Sequence, residues 1–564
     1  MGPDYTLMRH ISSNLFIFGW SWNNKKFPER RIQVAPTLAE SMSGTFSRNT
    51  SDVTDVTSGN STDQSRTLLH KDFAPGVAGL ALRALSRSTH THVTNGSPSP
   101  LTDHSRRLLH EAQHTEICHA GICDTSAIQN VPVEILGEIF RHCVEGSAAN
   151  GWPFGYISPD RRRAPLLLCR VCAHWRQVAI STPVLWSKFS AQSTRSLPSK
   201  FIQLWLDRSQ THPLSFHLAQ WEPSQVGLLP HAHSILKLFF PHFSRCCDLF
   251  IVLDDTLVRQ LLSIPTKDKN SVESFTLDTN ICTKEFIDQI PDLIRSFTNI
   301  HRLSIRESSA AAVPLLTIPW SQLTHVELHF RLPVKTVAVI LARCVQIEEF
   351  TVDYLWPEPG LGSSPPILLR HLRSLHIRCC CHPDAALCCT EELLQYLTLP
   401  ALRQFKFCHG HHPATWGRVI FPEFLVRSSC PLESLTVFDS DLVEDDIIAL
   451  LSLPYLQSLK EIELLSNHLS DRTLESLTYP SSGTGILPNL ETIGVFQCSS
   501  SDGKLADMVA SRWASNPSPS ARNISQLTTL RYYFHHPSVG TWPCHDLDFS
   551  RLSTFLADGL EVTL

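Results

Sequence analysis

One pattern recurs through the C-terminal half of this chain and limits what it can fold into: apolar-x-x-apolar-x-apolar. Copies begin at Val272, Ile300, Leu323, Ile347, Leu372, Leu402, Leu432, Leu459, Leu490 and Leu527. Successive starts lie 28, 23, 24, 25, 30, 30, 27, 31 and 37 residues apart. Each copy reads as a short strand whose alternate residues face one side. The segments between copies carry helical spacing, as in Thr336–Cys344, Glu391–Leu397, Asp445–Leu453 and Asp471–Leu477. One strand–return unit cannot bury its own apolar face, whereas stacked neighbours can. Pro319, Pro400, Pro431, Pro454 and Pro488 stand just ahead of copies, where a turn is needed. The expectation is an α/β solenoid over residues 200–564. The competing reading is an ordinary α/β domain in which the pattern recurs by chance; ten copies at similar spacing argue against it.

Residues 128–190 are patterned differently. Val133–Cys143 carries Ile135, Leu136, Ile139, Phe140 and Cys143 at helical spacing behind Pro132. A Gly-, Pro- and Arg-rich loop, Gly146–Pro165, follows. Leu166–Ile180 then places Leu167, Val171, Trp175 and Val178 on one helical face, and Ser181, Thr182 and Pro183 end it. Leu185, Trp186 and Phe189 are expected to close the module. Residues 1–127 are rich in Ser, Thr, His, Asn and Asp and read as mostly disordered, with short helices at Gly76–Ser86 and Ser105–Glu116.

The run VPVEILGEIF at Val131–Phe140 is similar to the opening of the F-box family. VCAHWR at Val171–Arg176 and TPVLW at Thr182–Trp186 extend the likeness. The ordered set resembles F-box-like proteins of mushroom-forming fungi, as do WLDRSQTHPL at Trp205–Leu214 and LADMVASR at Leu505–Arg512. Val131 stands where Leu is usual, and the Gly146–Pro165 loop is longer than in the plain F-box. The C-terminal pattern resembles leucine-rich repeats. That family's Asn or Cys at the ninth position is matched by Asn280, Cys380, Asn467 and Cys498, and not by Ser308, Arg331, Leu355, Gly410, Ser440 or His535.

The resemblance implies a non-enzymatic substrate receptor of an SCF-type cullin-RING ubiquitin ligase. The F-box-like module would dock on the Skp-type adaptor through Val131, Pro132, Glu134, Ile135, Leu136, Ile139, Phe140, Val171, Cys172, Trp175 and Trp186. The repeats would hold a protein substrate. The alternative is a leucine-rich-repeat scaffold with a vestigial F-box and no ligase role. Substrate contacts on the repeats are expected at Arg302, Ser304, Thr324, Glu327, Ser374, His376, Gln404, Lys406, Thr436, Glu461, Glu463 and Thr492.

Other chemistry is weak. His110–His114 reads HEAQH, the spacing of a zinc hydrolase with Glu111 as base, yet Ile117 and Ala120 break the extended motif. The chain has 28 His, which raises chance matches. Cys379, Cys380, Cys381, His382, Cys388 and Cys389 cluster, as do Cys408, His409, His411 and His412, but without the paired spacing of zinc sites. No metal or cofactor is expected. The acid pairs Asp254–Asp255 and Asp445–Asp446 read as helix caps rather than catalytic dyads. A net charge of -5 argues against nucleic-acid or anionic-membrane partners. With 18 Cys and no secretory pattern, the chain is expected to keep its thiols reduced in the cytoplasm or nucleus, leaving Asn49, Asn60, Asn95 and Asn523 as chance glycosylation triplets.

Overall fold

The computed structural model describes residues 131–149, 160–192, 198–219, 229–252, 254–278, 283–306, 314–357, 365–379, 388–409, 419–480, 485–513, 524–534 and 545–563. The expected disorder and short helices in 1–127 lie outside these. Two compact units divide between Ile180 and Ser181.

In the first unit, helix α1 (Val133–Ala149) follows Pro132, whose carbonyl accepts from the Leu136 amide at 2.9 Å. Leu136, Phe140 and Val144, four residues apart, are buried. The expected continuous helix over Leu166–Ile180 is interrupted: a 3-10 turn at Leu168–Arg170 gives way to helix α2 (Ala173–Ile180). Cys172 occupies the break and its sulfur accepts from the Trp175 amide at 3.3 Å, as a Ser or Asp side chain does at a helix start. Trp175 packs on Phe140 with ring centroids 4.9 Å apart, which joins the two helices.

The second unit is α/β. Its strands are β1 (Lys188–Gln192), β2 (Leu214–Ala219), β3 (Cys246–Val252), β4 (Ser274–Asp278), β5 (Arg302–Arg306), β6 (His325–Pro333), β7 (Glu349–Trp356), β8 (Ile367–Leu368), β9 (Ser374–Cys379), β10 (Leu397–Thr398), β11 (Gln404–His409), β12 (Ser434–Asp439), β13 (Glu461–Leu465), β14 (Thr492–Cys498), β15 (Thr529–Phe534) and β16 (Glu561–Thr563). Fourteen form one parallel sheet in chain order, while β8 and β10 pair separately. Each of the ten apolar starts, Val272 to Leu527, sits two residues before a strand and is buried.

The sheet also includes β1, β2, β3 and β16, which the pattern did not mark. Register puts Trp186 and Cys246 at the starting positions of β1 and β3; at β2 a register shift sets buried Leu214 opposite Cys246, and at β16 the position falls on exposed Gly559. Trp186 is thus the first copy's starting residue. It is fully buried against Trp205, with centroids 4.9 Å apart, and so belongs to the sheet unit's core together with Leu185 and Phe189.

Alternation sorts the strand residues. Phe216, Phe275 and Phe405 face the return segments, where they meet Phe239, Phe297 and the pair Phe421 and Phe424. Their neighbours on the other side are mostly polar. Two ties recur between successive returns. An Arg reaches carbonyls that end the preceding one: Arg427 bonds Leu394 and Leu397, and buried Arg512 bonds Leu477, Ile486 and Leu487. An acid near one helix start accepts from the next: Asp255 from Thr283, Glu444 from Ser470 and Thr473, Asp471 from Ser501.

Candidate interaction surfaces

On α1, Ile135 and Ile139 lie one turn apart, about 100° round the helix from the buried Leu136 and Phe140. Their exposures are 54% and 37%, and Val133 and Val171 are exposed at 51% and 54%. Four large apolar side chains therefore lie in the open among the described residues of this unit. Of the other residues expected here, Pro132 and Glu134 are exposed, and Val131, Cys172 and Trp175 are half-buried. Glu138, within the same stretch, pairs with Arg141 and His142.

The second surface is the polar face of the sheet. Of the twelve positions expected there, eleven fall on it, in two rows read across the strands. One row includes Arg302, Ser374, Gln404, Glu461 and Thr492; the other includes Ser304, Glu327, His376, Lys406, Thr436 and Glu463. Thr324 precedes β6 and bonds the His301 carbonyl; His325 takes its place in the row.

A third row, two residues further along, was missed: Asp278, Arg306, His329, Asp353 and Arg378. Alternation continued past the six-residue pattern would have found its first members. It carries the densest charge of this face. Asp353 is 2.7 Å from His329 Nδ1 and 3.4 Å from Arg378. His329 Nε2 lies 3.1 Å from Glu327, which accepts from Ser304 at 3.0 Å. Burial alone would raise the Asp353 pKa, but the His329 hydrogen bond and the Arg378 charge outweigh it and hold it at about 2. Burial would lower that of His329, and the hydrogen bonds to Asp353 and Glu327 reverse this to a net rise. His376 is driven down to about 3, first by burial and then by the Lys406 charge.

Towards the C-terminal end, Arg531 on β15 reaches across β14 to Glu461, at 3.0 Å, and to Glu463 on β13. It passes over Gly494, where a Cβ would lie 3.0 Å from the Glu463 side chain. Both signs of charge are present along the face, which therefore selects no ligand class by charge alone.

The candidate hydrolase residues His110, Glu111 and His114 lie outside the described residues, as do Asn49, Asn60, Asn95, Asn523, Cys380, Cys381, His382, His411 and His412. Among the described residues no helix is long and apolar enough to cross a membrane. No family model and no curated protein matches the chain.

Proposed function

We propose that this chain is a substrate receptor of a cullin-RING ubiquitin ligase. Its F-box-like unit docks on the Skp-type adaptor, and its leucine-rich-repeat-like sheet holds a protein substrate on the polar face. The observation that carries this reading is the exposure of Val133, Ile135, Ile139 and Val171 beside a core made by Leu136 and Phe140. Ile135 and Ile139, one turn apart, share an exposed face; an exposed apolar face marks a partner site, where a well-packed anchor contributes about 2–4 kcal/mol. No catalytic group is asked of the chain: ubiquitin transfer takes place on other subunits, and the receptor raises the local concentration of substrate.

Binding of the full chain to purified Skp-type adaptor tests this. The wild type is expected to bind, and Ile135→Asp with Ile139→Asp to abolish binding while circular dichroism stays unchanged. Absence of wild-type binding would favour the second reading, a repeat scaffold with a vestigial F-box. What supports that reading is the broken Leu166–Ile180 segment and the absorption of Trp186 into the sheet unit.

A further inference from the structure

The helix-facing row at the end of β6, β7, β9, β11 and β12 changes character midway. Register aligns Leu332 with Leu355, Leu355 with Cys379, Cys379 with His409, and His409 with Asp439. All five are buried. Two strands thus place Leu in this layer, and the next three place Cys, His and Asp.

A fourth group joins the row. Cys388, at the start of the helix Cys389–Leu394, is buried with its sulfur 3.8 Å from that of Cys379. Donor atoms of Cys379, Cys388 and His409 all lie within 4.8 Å of one another. A disulfide needs about 2.05 Å between sulfurs, so this pair is not bonded. Two thiolates on one tetrahedral zinc, with zinc–sulfur bonds of about 2.3 Å, stand about 3.8 Å apart. The Cys379–Cys388 separation matches that value.

We propose that Cys379, Cys388 and His409 bind a zinc ion inside the sheet unit. Two thiolates and an imidazole are soft-to-borderline donors that suit zinc over magnesium or calcium. The fourth tetrahedral position is left to water or a further donor. Asp439 lies 3.9 Å from His409 Nδ1 and would orient the imidazole of a zinc bound through Nε2. The ion ties together β9, β11 and the return that joins them. In the sequence Cys379 and Cys388 fall in one cluster and His409 in another, both set aside for want of paired C-x-x-C spacing; adjacent strands bring the two together.

Metal content of the purified full-length chain tests the site. One zinc per chain is expected after desalting. Exchange with Co(II) is expected to give a thiolate-to-cobalt charge-transfer band. Cys388→Ser removes a donor while leaving a residue well suited to a helix start, so the fold is retained. This variant is expected to bind zinc more weakly by more than the ~10–100-fold typical of losing an outer partner. Cys430→Ser, a buried thiol outside the set, is expected to bind as the wild type does. Three results would overturn the site: no stoichiometric zinc in the wild type, an unchanged Co(II) spectrum in Cys388→Ser, or an intact mass showing a Cys379–Cys388 disulfide.

Discussion

In the sheet unit, strand residues such as Leu303 and Ile305 are buried, and the apolar starting residue is buried in every copy from Val272 to Leu527. In the helical unit, Leu136 and Phe140 are equally buried, yet Ile135, Ile139 and Val171 are not. Both regions are apolar at helical or strand spacing. The contrast shows that periodicity says which residues share a face, whereas the amount of neighbouring chain decides whether that face is covered. Repetition supplies each sheet copy with a neighbour on either side. The described helices of the first unit have no such repeating neighbour, and Ile135, Ile139 and Val171 stay open.

The sharpest test of this contrast pairs two substitutions on α1. Phe140→Ala is expected to cost about 3–5 kcal/mol of the unit's stability, as for a buried aromatic. Ile135→Ala is expected to change it by less than about 0.5 kcal/mol, as at an open surface site. Urea unfolding followed by tryptophan fluorescence checks both. A cost above about 1.5 kcal/mol for Ile135→Ala would show that this side chain is covered after all.

The next effect in size lies in the sheet unit. Arg512→Met leaves the Leu477, Ile486 and Leu487 carbonyls without their shared donor. A loss of about 3 kcal/mol is expected, since breaking a buried charged hydrogen-bond set strands its partners. A near-neutral result would mean that packing alone holds successive returns together.

Smaller again in the sheet unit is Glu444→Gln, at about 2 kcal/mol near neutral pH, because the carboxylate accepts from Ser470 and Thr473 through both their amides and their hydroxyls. Burial raises the Glu444 pKa, but these donors outweigh it and the net shift is downward. A depressed folded-state pKa contributes stability above the unfolded value, near about 4.3, and loses it as pH falls through the folded one. The difference between wild type and variant should therefore shrink in acid. A gap that widens below about pH 4 would contradict the assignment.

Much of this architecture is legible in the residues. The start of every strand from β4 to β15 of the large sheet can be read from Leu, Ile or Val two residues ahead of it. The copies opened by Trp186 and Cys246 escaped because the rule asked for an aliphatic residue, while the buried slot accepts a ring or a thiol as well; β2 escaped because a register shift interrupts it at Leu214, and β16 because its position falls on exposed Gly559. The break at Cys172 escaped because a thiol is a poor clue to a helix start. Partnerships across strands, such as Asp353 with His329 and Arg378 or Cys379 with His409, depend on register. Register is set by how many residues each return spends, and that is not visible in a single copy.

Because strand follows strand in chain order, each strand's backbone pairs only with the copy before it and the copy after it. Cooperativity in such an array is a nearest-neighbour property, and the terminal members have half the support of the rest. Among the described residues, three-residue β16 at the C-terminal end pairs only with β15, and Leu547, Phe549 and Leu556 of the adjoining helix Asp546–Ala557 are open to solvent. Amide exchange should therefore grade along the array, fastest at this fraying end and slowest near the middle, so that the molecule melts from its margin inward.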